Sequence, residues 1–127
     1  MKSYIATLMM VLAVVFGAKA QIVTSEPSPL QQNSENVVIY YHADQGNKKL
    51  INQPASSPIY AHTGVITNKS TSGSDWKHAP NWKDNSAKYK LEYVSTNLWK
   101  LNIGNIADYY QLEEGEVVKQ LAFVFRD

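Results

Sequence analysis

From Lys88 to Tyr93 the chain alternates at every step between a charged side chain and a ring or aliphatic one: Lys, Tyr, Lys, Leu, Glu, Tyr. A period of two puts Tyr89, Leu91 and Tyr93 on one face and Lys88, Lys90 and Glu92 on the other. That is the pattern of a half-buried strand in an antiparallel sheet, predicted here over 88–94. Thr96-Asn97 supplies a turn and Leu98 to Ile103 (LWKLNI) returns, so 88–103 is expected to form a hairpin. The rest of the chain agrees. VVIYYHA (37–43), IYAHTGVIT (59–67) and EVVKQLAFVFR (116–126) are rich in β-branched and aromatic residues, with Leu121, Phe123 and Phe125 on one side of the last run. Only Ala107 to Tyr110 suggests a helical turn. About five strands separated by turn residues predict an all-β protein, an antiparallel β-sandwich.

The folded part is expected to run from Val37 to Asp127. Gln21 to Asn36 (QIVTSEPSPLQQNSEN) is polar, carries Pro27 and Pro29, and reads as a flexible linker. Met1 to Ala20 has the order of a secretory signal peptide: Lys2, an apolar run from Tyr4 to Gly17, then Ala18-Lys19-Ala20. The run is short for a membrane span, so none is expected after cleavage. The chain has no cysteine, which for an exported domain points to a bacterial protein, secreted to the periplasm or the cell surface. Net charge is +1 and no Lys/Arg tract occurs, so nucleic acid and anionic membranes are not expected partners. The apolar run Leu121 to Phe125 lies close to Asp127. It is expected to lack a neighbouring strand, as in the N-terminal module of a longer protein.

Chemistry concentrates between Ser57 and Lys83. On the strand 59–67, Tyr60, His62 and Gly64 share one face, opposite Ile59, Ala61, Thr63 and Val65, so Tyr60 and His62 are expected to face outward. The stretch 68–87 has no periodicity and holds Trp76 and Trp82 among Gly, Ser, Asn and Pro. Long loops of this kind in compact domains are often functional. Large stiff rings there suit a flat ligand, losing little entropy on binding. The candidate ligand-binding residues are therefore Trp76, His62, Trp82, Tyr60 and Lys77, with Asp84 and Asn85 as further hydroxyl partners. The competing role for either tryptophan is a core plug; Trp99, on a strand, is assigned to core or rim. No catalytic residues are assigned. The loop acids Asp75 and Asp84 sit beside lysines, Glu113, Glu114 and Glu116 read as a solvated cluster, and no nucleophile, metalloprotease or phosphate-loop motif occurs. No cofactor or metal is expected.

The order of these features resembles a known family. Paired tyrosines on a strand (Tyr40-Tyr41), Tyr60-Ala61-His62 on the next, a loop with Asp75-Trp76-Lys77, then Leu98-Trp99-Lys100 and Ala122-Phe123-Val124-Phe125 are similar to the starch-binding modules that flank amylases. More narrowly, the chain resembles the N-terminal module of secreted α-amylase-type glycoside hydrolases from Bacteroides-like bacteria, over Val37 to Asp127. The resemblance implies an immunoglobulin-like sandwich, here lacking its last strand. It also implies noncatalytic binding of α-glucan polysaccharide or oligosaccharide next to an amylase catalytic domain. The family's platform, a histidine on the second strand and a tryptophan in the following loop, falls on His62 and Trp76, with Trp82 or Tyr60 as further members. The alternative is a structural spacer whose aromatics pack against a neighbouring domain; it expects the tryptophans buried in the full-length protein, whereas sugar binding expects exposed, mutually coplanar rings.

Overall fold

A computed structural model describes residues 21–127; the segment read as a signal peptide lies outside the described residues. Six strands carry the fold: β1 (Val23–Glu26), β2 (Val37–His42), β3 (Tyr60–Thr67), β4 (Glu92–Ser95), β5 (Leu98–Gly104) and β6 (Val118–Arg126). One short helix, α1 (Ile106–Tyr110), precedes β6. The strands form a four-stranded sheet in the order β1-β2-β5-β4 and a two-stranded sheet β3-β6, all neighbours antiparallel. Among the described residues no helix is long and apolar enough to cross a membrane.

The two sheets bury their apolar faces against each other, as the strand pattern predicts. Val37, Ile39 and Tyr41 of β2 and Trp99, Leu101 and Ile103 of β5 meet Ala61 and Val65 of β3 and Leu121 of β6. Tyr41 stacks on Phe125 across the gap, with ring centroids 4.1 Å apart. Trp99 is 1% exposed, which settles it as core. Thr63, facing inward on β3, donates to Ala122 O and shares a hydrogen bond with Tyr110, both at 2.7 Å. Burial pushes the Tyr110 hydroxyl's pKa well up, so it stays a neutral hydrogen-bonding group that ties α1 to β3. The predicted helical turn is present: the Asn105 side chain caps Asp108 N, and Gln111 ends it in the left-handed region at φ 55°.

Two expectations are corrected. The stretch 21–36 is not an open linker. It contains β1, paired with β2 from Val23↔Tyr41 to Glu26↔Val38, after which Leu30 is buried and Gln32 bonds both Glu116 O and Val118 N. Its strength lies in backbone pairing and two side-chain anchors, which a count of apolar residues does not register.

The predicted strand 88–94 is split. Ala87–Tyr89 makes a 3₁₀ turn, Lys90 bridges Tyr60, and Leu91 N donates to Ile59 O, all on the β3 side. Then β4 pairs with β5 in the other sheet. The chain changes sheets at Leu91, so the alternation divides: Leu91 is buried, Tyr89 packs edge-on to Tyr109, and Tyr93 is exposed, edge-on to Trp99. The hairpin turn itself is as expected, with Asn97 at φ 62°. Along its second edge β6 has no strand beside it among the described residues, and Phe123 and Phe125 are half-buried.

Candidate functional site

The outward face of β3-β6 is set by register. Tyr60 pairs with Arg126, His62 with Val124 and Gly64 with Ala122, and alternation sends these side chains away from the core. Tyr60 and His62 do face outward while Ala61, Thr63 and Val65 are buried.

The loop that follows β3 comes back onto this face. Val65 N donates to Lys77 O at 3.0 Å and Lys77 N to Val65 O at 2.7 Å, a two-way backbone bridge that fastens the loop to the edge of β3. Gly64 permits the approach. A Cβ there would lie 3.0 Å from Ala79 Cβ and Lys77 O and 3.2 Å from Trp76 Cβ.

Upstream, Asp75 accepts from Thr71 N at 2.9 Å, and Ser70 Oγ donates to Asp75 O. Downstream, His78, at φ 60°, reaches the buried Glu116 carboxylate at 2.8 Å. Burial alone would raise the Glu116 pKa; the bonds from Glu113 N–H and His78 outweigh it and hold the carboxylate below its ordinary range. The loop is therefore pinned from Ser70 to His78.

Four of the five candidates come together. His62 contacts both tryptophans: the Trp76 ring stacks on it with centroids 5.6 Å apart at 25°, and the Trp82 ring packs edge-to-face with it at 5.0 Å and 64°. Trp76 is half-buried, whereas Trp82 is 49% exposed. Tyr60 lies beneath the Arg126 guanidinium at 5.3 Å. Lys77 adjoins Trp76, but its ammonium pairs with Asp75 at 3.3 Å. The Trp76 and Trp82 rings therefore stand at an angle to one another across His62, which corrects the expectation of exposed, mutually coplanar rings.

Burial, helped by the Arg126 charge, lowers the His62 pKa, so the ring is neutral at neutral pH. Its Nδ1 is buried without a hydrogen-bond partner, so stacking is its first contribution to the surface.

Sequence reasoning missed Arg126. Its guanidinium lies 5.8 Å from the Trp82 ring, and Nη2 donates to Asp84 O at 3.1 Å and to Asn85 Oδ1 at 2.6 Å. Asn85, expected to meet a ligand, spends its carbonyl oxygen on that contact. The signal that could have found Arg126 is parity, since it shares with Ala122 and Val124 the face opposite Leu121, Phe123 and Phe125.

The loop carboxylates are used locally. Asp75 serves Thr71 and Lys77. Asp84 accepts from Ser86 N–H and its hydroxyl, bonds that hold the acid below its ordinary range. Among the described residues no three His, Cys, Asp or Glu side chains lie close enough to hold a metal ion. The cluster presents aromatic rings with a guanidinium at one end. No family model matches the chain, and no curated protein sequence matches it.

Proposed function

We propose that this protein is a secreted, noncatalytic carbohydrate-binding module for α-glucan, working beside an amylase-type catalytic domain. The observation that carries the reading is the aromatic cluster on the outer face of β3-β6, with Trp82 raised 49% into solvent. Sugars offer apolar C–H faces to rings and hydroxyls to polar edges. By analogy with base stacking, each ring contributes about 1–3 kcal/mol. Two rings then support micromolar-to-millimolar affinity, sufficient for a module that raises the local concentration of a linked enzyme at a polymer.

The angle between the rings bears on the linkage. α-1,4-Linked glucose chains coil, whereas β-1,4-linked chains run as flat ribbons that suit coplanar rings. Rings set at an angle, as the 64° contact of Trp82 and the 25° stack of Trp76 with His62 require, replace the expected coplanar platform and suit the coil.

Tryptophan fluorescence during titration with maltoheptaose, soluble starch and cellohexaose tests this. Saturable change with the first two alone, lost in Trp82→Ala, is the expected result. No response from folded protein would remove the glucan reading and promote the spacer.

A further inference from the structure

The two tryptophans are held by different means, and the second depends on the end of β6. Trp76 follows from the backbone bridge of Lys77 to Val65 and from the space above Gly64. Trp82 has no such bridge. It lies in the turn closed by Asp84 N donating to Asn81 O, and its ring-level neighbours are the His62 edge and the Arg126 guanidinium. Arg126 also grips the residues just after Trp82, Asp84 by its carbonyl and Asn85 by its side chain. The guanidinium lies over Tyr60, its cross-strand partner, while its Nε is buried without a hydrogen-bond partner.

We infer that Arg126 is a specificity-determining positioning residue: by holding the 84–85 turn against β6 it sets the angle of the Trp82 ring to the His62–Trp76 pair, and that angle selects coiled over flat glucans. The inference rests on the site being the glycan site proposed above. A planar fork with several N–H groups can hold a carbonyl, a side-chain amide oxygen and a ring at once. An ammonium presents a point charge without that geometry. Arg126→Lys therefore keeps the charge and loses part of the grip, whereas Arg126→Met loses both. Asn85→Ala removes one acceptor without touching β6, and guards against a variant that merely disturbs the strand.

Two readouts on the whole purified protein separate the parts of the inference. The first needs no sugar: the indole N–H resonance of Trp82, identified by its absence in Trp82→Phe. It is expected to move and broaden in Arg126→Met, to move less in Arg126→Lys and Asn85→Ala, and to leave Trp76 and Trp99 near their original positions. The second is the ratio of maltoheptaose to cellohexaose affinity, taken as a lower bound in the parent where cellohexaose gives no response, and expected to fall by about tenfold or more in Arg126→Met and less in Arg126→Lys. A Trp82 resonance unchanged in Arg126→Met would overturn the positioning role. A moved resonance with an unchanged ratio would overturn the link to specificity. If the unmodified protein binds neither sugar, the glycan reading falls and the specificity role with it, while the sugar-free resonance still decides whether Arg126 holds Trp82.

Discussion

Trp76 and Trp82 are six positions apart in one loop, yet the fold treats them differently. The first is half-buried on a sheet face shaped to receive it, the backbone of its neighbour Lys77 bonded to β3 and its own ring stacked on His62. The second stands in solvent, steadied by a histidine edge and an arginine. A ring held by backbone pairing is part of the scaffold, and its loss costs stability and function together. A ring held by side chains over an open surface can be removed with little harm to the fold. The comparison teaches which part of the loop belongs to the scaffold and which part, on the proposed reading, would meet a ligand.

The strongest way to break the comparison is at Gly64. Gly64→Val puts side-chain atoms into the space that Ala79, Lys77 and Trp76 occupy, so the loop must leave the sheet. Urea unfolding should show a loss of about 1–3 kcal/mol, the usual cost of overpacking, and glucan binding should disappear. Trp76→Ala comes next, costing about 1–2 kcal/mol by the same measurement, with binding also lost. Trp82→Ala sharpens the contrast: its unfolding free energy should stay within about 0.5 kcal/mol of the parent while glucan affinity falls by about tenfold or more. Equal stability losses in the two alanine variants would erase the distinction.

The smallest effect is in the pH dependence. The folded-state pKa of His62 is depressed, by burial first and Arg126 second, so on acidification the unfolded chain takes up this proton first. Stability is therefore full above the ordinary histidine range and declines as pH falls through it. In His62→Gln the decline should be shallower but not abolished, because burial also lowers His42. Glu116 acts at lower pH. Its depressed folded-state pKa means that its contribution is present above the ordinary glutamate range and is lost as pH falls through the folded value. Melting temperature against pH for the parent, His62→Gln and Glu116→Gln separates the two windows.

Much of the scaffold is readable from residue order, because β-branched runs and period-two alternation reflect burial directly. The facing of Tyr60 and His62 away from Ala61, Thr63 and Val65 follows from parity alone. What escapes the sequence is held by terms that alternation does not encode. β1 is short and polar, and its place comes from pairing with Val38 to Tyr41 and from the distant bonds of Gln32. Lys88 to Tyr93 alternates as one strand but serves two sheets, because Leu91 N is claimed by Ile59 O.

The ring types and the loop that carries them were visible at once. Their arrangement was not, since it depends on the Val65–Lys77 bridge and the His78–Glu116 contact across long sequence separations. Arg126 joins Tyr60 and Trp82 only once the register of β3 with β6 is known.

The most direct test is a map of where sugar touches the protein. Isotope-labelled protein titrated with maltoheptaose should show saturable shifts at the indole N–H groups of Trp76 and Trp82 and at the amides of Tyr60, His62 and Arg126, with the Trp99 indole unmoved. Absence of saturable shifts, or shifts centred on β4 and β5, would contradict the assignment of this face as an α-glucan site.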